Sequence, residues 1–542
     1  MGSRFEFEKC VRLLCFPSTL LVLALGSGSA VADPQDNGTA EVSAAVQHDT
    51  LHSLRGVMPR PDDFSEGKRE HPQHPLPSLD GPGSPDDPVV QSSATIQTPT
   101  LGSGVDGVGQ GFSGPQGTFT VNSAPPDTNG AVGATQYVQI VNSSFAVFDK
   151  ATKTVTYGPV GTNTLWSGFG GPCEADNDGD AVANYDKAAG RWVISQFAVT
   201  AAPYFQCVAI SATSDATGAY YRYAFPYGSV FPDYPKIGIW PDGYYITFNM
   251  FTGNTFSGAK LCAYDRTKML TGAAATQQCF QLSSSFGGVL PSDVDGTTAP
   301  PAGSPNYLVN YGSSKLNLWK FHTDWTTPAN STLTGPTSIP VAAFTAACSG
   351  GTCIPQPGTR QQLDSLADRL MYRLAYRNFT GTGAHESLVV THSVKAGTSR
   401  KSANTGIRWY EIRSPGGTPV VFQQSTYSPD TTNYRWMGSA AMDKQGNLAV
   451  GYSVSSGTVH PAIRYTGRLV TDALNTLEGE VSIFEGAGSQ SGSNLSRWGD
   501  YSAMTVDPVD DCTFWYTNQY LQTTGAFNWS TRIASFKFAG CQ

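Results

Sequence analysis

From about Gly111 onward the chain reads as short runs in which apolar and polar residues alternate, each closed by Gly, Pro, Asn or Asp. Arg191 to Phe197 (RWVISQF) and Tyr244 to Phe248 (YYITF) are representative. Alternation with a period of two marks a β-strand, and the closing residues are those that tight turns require. Few stretches keep a helical period, so an all-β fold is expected.

One phrase recurs: an aspartate, a short strand-like run, a polar turn, then a strand rich in aromatic or β-branched residues. It begins at Asp127 (strand Tyr137 to Val141), Asp180 (Trp192 to Phe197), Asp233 (Tyr244 to Phe248) and Asp500 (turn Asp507 to Asp511, then a run to Tyr520). Looser copies begin at Asp295, Gln362 and Trp436. Seven copies spaced about 62 residues apart on average are the pattern of a propeller with several short strands per blade. The reading is therefore a seven-bladed β-propeller over residues 113–542. The chain left over at the two ends amounts to one more blade. A strand at Gly117 to Ser123 is accordingly expected to complete the last blade and remove the open edges of the ring.

Only 14% of residues are charged and the net charge is -8, so no basic stripe is available for a phosphate backbone and nucleic acid is excluded as a partner. Arg4, Lys9 and Arg12 precede an apolar run from Leu20 to Leu25 and the small residues Ala30-Val31-Ala32, which reads as a secretory signal peptide over residues 1–32. No later run approaches the roughly 18 apolar residues of a membrane span. Residues 33–112 are rich in Pro, Ser, Gly, Asp and His, and bury too little apolar surface to offset the entropy of ordering. They are read as a disordered linker or propeptide, with His48, His52, His71 and His74 as solvated residues. A secreted monomer, extracellular or periplasmic, is expected. Beyond the signal, eight cysteines remain, an even number suited to an oxidising compartment. Pairing within blades favours Cys173–Cys207, Cys262–Cys279, Cys348–Cys353 and Cys512–Cys541.

The phrases NDGDAVANYD, DYPKIGIWPD, CIPQPGT, DRLMYRLAYRNF, RWMGSAAMDKQGN and DPVDDCTFWYTN occur between Gly111 and Cys541. On these the chain resembles a widespread family of secreted bacterial proteins of uncharacterised function. The resemblance implies export and a propeller, but no activity. A weaker resemblance lies in SATSDATGAYYRY, Ser211 to Tyr223, which is similar to the Asp-box turn of sialidase-type propellers with one residue too many between Asp215 and Gly218. That turn is structural in those proteins.

In a propeller the starts of the innermost strands converge on one mouth of a central channel. The repeat places Asp127, Asp180, Asp233 and Asp500 there, with Asp295 from a looser copy. Crowded carboxylates raise one another's pKa, which leaves a protonated acid beside an ionised partner, as glycosidases require. Arg360, Arg435 and Arg497 are candidates for binding an acidic or neutral glycan, and Trp436, Trp498, Tyr234 and Tyr501 for stacking on sugar rings. In the loop EADNDGD, Glu174, Asp176 and Asp178 follow the opening spacing of a calcium loop, although Tyr185 stands where its bidentate glutamate belongs. Calcium is the one cofactor expected. The mature chain has no G-x-S-x-G, so a nucleophile elbow is absent.

The resulting expectation is a secreted glycoside hydrolase acting on extracellular polysaccharide or glycoconjugate, with two of Asp127, Asp180, Asp233 and Asp500 as acid and nucleophile or base. The alternative is a non-catalytic propeller that binds glycan or protein at the cell surface. A further alternative is a polysaccharide lyase with His322, His385, His392 or His460 as base.

Overall fold

A computed structural model describes residues 38–59, 68–78, 86–94, 99–397 and 404–542. The expected signal peptide lies outside these residues. The described chain is all-β, and its regular helices are confined to short turns such as Gly171–Ala175 and Arg266–Met269.

Seven groups of four strands follow one another along the chain, the fourth and fifth joined by the parallel pairing of Leu290–Val294 with Met371–Phe379 into one nine-stranded sheet. The first consists of Asn129–Val132, Gln136–Val141, Ser144–Asp149 and Val155–Gly161, joined as an antiparallel meander. The second runs from Val182–Asp186 to Tyr220–Gly228, the third from Phe231–Ile239 to Thr276–Gln281 and the fourth from Leu290–Val294 to Thr332–Pro340. The fifth runs from Met371–Phe379 to Val420–Tyr427 and the sixth from Tyr434–Met442 to Val481–Phe484. In the seventh, Ala503–Val506, Phe514–Leu521 and Trp529–Lys537 are joined by Thr100–Asp106. The opening strand of each unit lies against that of the next, and the opening strand of the seventh against that of the first.

The second strand of a unit is buried on both faces, as along Tyr244 to Phe251, because a neighbouring sheet covers each side. The packed layers are visible in the clusters they share. Phe145, Ile140, Trp192 and Ile194 join the first and second units, and Tyr137, Val141, Trp515 and Ile533 join the first and seventh. Full burial of side chains such as Phe145 and Leu318 stabilises the fold by roughly 1.5–3 kcal/mol each. All four expected disulfides are present: Cys173–Cys207, Cys262–Cys279, Cys348–Cys353 and Cys512–Cys541. They fit an oxidising compartment. Among the described residues no helix is long and apolar enough to cross a membrane.

Three expectations are corrected. The strand that completes the seventh unit is Thr100–Asp106, paired antiparallel with Trp529–Lys537, and not Gly117 to Ser123. That stretch supplies only Gly117–Thr118, paired with Ser113–Gly114, and Ser123, which begins a two-residue strand paired with Arg69–Glu70. Secondly, the described part of the supposed linker is ordered. Glu41–Ala44 adds to the outer edge of the third unit, Gln47–Leu51 to the second and Val90–Gln91 to the fifth. Arg222 grips Asp49 at 2.8 and 2.6 Å, and Arg408 pairs with Asp87 at 2.6 Å. A segment without a core of its own gains backbone partners from an existing sheet edge, which composition does not reveal. Thirdly, two of the three looser repeat copies are out of register. Asp295 follows the strand Leu290–Val294 instead of opening it, and Gln362 is exposed ahead of Leu363–Asp364. Trp436 keeps the register of Asp233, each being the third residue of its opening strand, but its side chain is buried with no exposure.

Candidate functional site

The four well-spaced aspartates meet. Asp127, Asp180 and Asp500 each stand just before the opening strand of a unit, and Asp233 lies at the start of another. Asp127 (φ 48°), Asp180 (φ 43°) and Tyr234 (φ 57°) take the left-handed region, which sharply turns the chain there and costs of order 1–3 kcal/mol each. Hydrogen bonds between units hold them. The Asp500 amide donates to Asp127 Oδ1 at 2.7 Å. Asn142 Nδ2 donates to Asp127 Oδ2 at 3.1 Å, and its Oδ1 accepts from the Asp180 amide at 2.8 Å. Asp180 Oδ2 in turn accepts from the Tyr234 amide at 3.0 Å. The chain of contacts links the seventh, first, second and third units.

All four aspartates line one cavity of about 940 Å³, together with Asp176, Asp178, Arg369 and Arg497. Arg497, 6% exposed, places Nη2 2.5 Å from both carboxylate oxygens of Asp500. Arg369 is held by Asp368 at 2.7 Å and lies 4.5 Å over the Tyr234 ring. Behind the cavity wall Lys236, 1% exposed, rests its ammonium on the faces of Tyr234 (3.5 Å) and Tyr501 (3.8 Å) and donates to the Pro235 carbonyl.

Carboxylates outnumber cations here, and the titration follows. Burial raises the Asp180 carboxyl to about 6; Lys236 opposes the shift, while Asp233 and Asp500 add to it. Burial, then Asp500 and Asp180, push Asp127 well above the usual carboxylate range. Burial brings the Lys236 ammonium down to about 8 against the pull of the same aspartates. At the rim, burial followed by Asp178 lifts Asp176 to about 6.

The remaining expected site residues lie elsewhere. Arg435 is fully buried between Glu480 (2.9 Å) and Asp430 (2.6 Å), and Trp436 and Trp498 are core side chains with no exposure. Tyr234 and Tyr501 are buried too and offer their faces to Lys236 instead of to solvent. Arg360 is exposed and does not line the cavity. Glu174 turns back to accept from the Gly170 amide at 2.6 Å, and Asp178 accepts from Val199 and Thr200. Among the described residues no three His, Cys, Asp or Glu side chains are grouped to hold a metal ion. Asp215 caps its own turn by accepting from the Thr217 amide and hydroxyl, a structural use of the Asp-box-like stretch.

His322, His385, His392 and His460 are all absent from the cavity lining. His392 is buried against Tyr410, Tyr311 and Phe344. The histidines that do line it, His71 and His74, come from the segment read as solvated linker. Sequence reasoning also missed Lys236, Arg369 and Asn142. Lys236 had a signal, a lone cation in the otherwise apolar run Pro235 to Trp240; Asn142 had none.

No family model matches the chain, and no curated protein matches it. Among solved structures, the N-terminal domain of Nup159 is 8% identical, with 83% of this chain and 99% of that one covered and a TM-score of 0.36. An exo-β-1,3-galactanase from Clostridium thermocellum is 11% identical over 81% of this chain and 97% of its own, at 0.29. A polysaccharide lyase, an ulvan lyase, is 10% identical over 81% of each chain, at 0.25. Likeness at these scores assigns neither fold nor activity.

Proposed function

We propose that this chain is a secreted seven-bladed β-propeller whose aspartate-lined cavity binds and hydrolyses an extracellular glycan. The cyclic order of the opening strands and the shared core of the first and seventh units support the propeller. One observation carries the chemistry: aspartates from four units converge on one cavity, where Asp180 is raised to about 6 beside an Asp500 gripped at both oxygens by Arg497. In this reading Asp180 is the general acid that protonates the leaving glycosidic oxygen. Asp500, held at both oxygens by Arg497, is the partner that acts as base or nucleophile. The reading assigns no step to calcium; among the described residues Glu174, Asp176 and Asp178 are not grouped as three ligands for one ion.

A non-catalytic glycan binder is the second reading, favoured by the fact that residues 71–74 also line the cavity and narrow the approach to it. Incubation of the purified protein with a panel of polysaccharides, assayed for new reducing ends, separates the two. Hydrolysis that disappears in Asp180→Asn and Asp500→Asn supports the enzyme. Binding without reducing ends supports the binder.

A further inference from the structure

The segment 68–78 is seated across the cavity and anchored at both ends. Arg69–Glu70 runs parallel to Ser123–Ala124, and the His71 amide donates to the Ala124 carbonyl at 2.7 Å. Glu70 Oε1 accepts from the amides of Ser496 and Arg497, both at 2.7 Å. At the other end the Leu76 amide donates to Asp368 at 2.8 Å, and the Leu76 side chain, 8% exposed, packs beside Gly287 and Gly288. Between these anchors the segment uses the cavity's own groups. Arg497 Nη1 donates to the His71 carbonyl at 3.0 Å, Arg369 Nη2 to the His74 carbonyl at 3.2 Å, and His74 Nδ1 lies 3.7 Å from Asp233 Oδ1.

Charge matches this placement. The fixed wall contributes six aspartates and two arginines, and both arginines are already committed to Asp368 and Asp500. The segment contributes Arg69, His71 and His74 to the same cavity. One polar group remains unmet even so: Arg497 Nε is buried and has no hydrogen-bond acceptor.

We propose that residues 68–78 are a tethered strap that occupies the acidic cavity in place of a cationic glycan, so that an amine-bearing polysaccharide binds by displacing it. This rests on the glycan reading above and narrows it. A sugar amine replaces the imidazole on Asp233 and meets the carboxylate excess. Hydroxyl oxygens take the donors that Arg369 and Arg497 now spend on strap carbonyls, and supply an acceptor for Arg497 Nε.

The strap is unseated from either end by Glu70→Ala or Leu76→Ser, both outside the catalytic proposal; unchanged thermal unfolding of the seven units shows that the variants are folded. The first readout is independent of any glycan: carbodiimide labelling of Asp180 and Asp233, resolved by peptide mapping. It rises about tenfold in both variants as the cavity opens. The second is calorimetric titration with glucosamine oligomers, their N-acetylated counterparts and polygalacturonate. Glucosamine oligomers are expected to bind both variants more tightly than the native protein, and the other two to bind weakly or not at all. Unchanged labelling in both variants overturns the strap. Increased labelling with no binding of any of the three leaves the strap standing and overturns the glycan reading. Preference for polygalacturonate overturns the assignment of a cationic ligand.

Discussion

Two groups of buried aspartates sit on the opening strands of this protein, and their fates differ because their partners do. In the first, Arg373 spans Asp293 and Asp295 at 2.7 Å each, Lys187 pairs with Asp295, and Asn184 completes Asp293 at 3.1 Å. Burial opposes ionisation of Asp295, but Arg373 and Lys187 hold its carboxyl well below the usual range. In the second, Asp127, Asp180, Asp233 and Asp500 share Arg497 and a lysine that rests on aromatic rings. There burial wins, and Asp127 and Asp180 titrate upward. The same residue type at comparable depth is scaffold where cations match it in number and is available for proton transfer where they do not.

Four substitutions test that contrast. Asp180→Asn has the largest expected effect, a loss of about 10²–10⁴-fold in turnover if Asp180 is the acid, measured as reducing ends released. Its stability should hardly change. The folded carboxyl is raised from 3.8 to about 6, so any stability linked to its protonation is complete below 3.8 and gone as pH rises through about 6. At pH 7 asparagine therefore loses nothing through charge. A marked fall in stability with turnover retained would place Asp180 with Asp293 and Asp295.

Arg373→Met should do the opposite, destabilising by roughly 3–5 kcal/mol in urea unfolding because two buried carboxylates lose their partner. A cost below about 1 kcal/mol would show that the matched group carries no weight. Lys236→Met comes third. Lys236 opposes the upward shift of Asp180, so its removal should raise the Asp180 pKa further. The alkaline fall in activity, expected near pH 6 in the native protein, should then move up by about one unit. An unmoved pH profile would mean that the buried ammonium is not felt at the acid.

The smallest effect concerns the strap. The contact with the Asp233 carboxylate raises His74, against burial and Arg497 and with help from Asp180. A raised histidine contributes stability that is full below 6.5 and lost as pH rises through its higher folded value. Amide exchange across residues 69–76, corrected for intrinsic rates, should accelerate several-fold above that pH in the native protein and lose this dependence in His74→Ala. Protection that does not vary with pH would remove the imidazole from the strap's anchors.

The correct repeat positions were legible because they are locally encoded. Asp127, Asp180, Asp233 and Asp500 each precede a turn and a strand whose alternation is visible within about twenty residues. The copies at Asp295 and Gln362 slipped where a long turn or a missing aspartate left the alternation without a register mark, and period-two patterns tolerate such slips. The copy at Trp436 kept its register, but puts a buried ring where the others put a carboxylate. Arginine and aromatic candidates were misplaced for a related reason. Arg435 and Trp498 sit beside the repeat in sequence, but Arg435 lies in a strand and turns to its buried ion pair with Glu480, while Trp498, in the loop before Ala503–Val506, is buried in the core.

What the amino-acid sequence by itself determined is everything built from contiguous chain: the short strands, their turns, and the four disulfides, each of which closes within one sheet or its adjoining loop. The tertiary structure alone decided which charges meet. Lys236 reaches Tyr501, Arg373 reaches Asp293, and His74 reaches Asp233 across long separations in sequence. It also decided that Thr100–Asp106 completes the last sheet and that residues 68–78 lie over the cavity. Pairings of this kind depend on how the sheets stack and on how much solvent each charge loses there, and no local pattern of residues records either quantity.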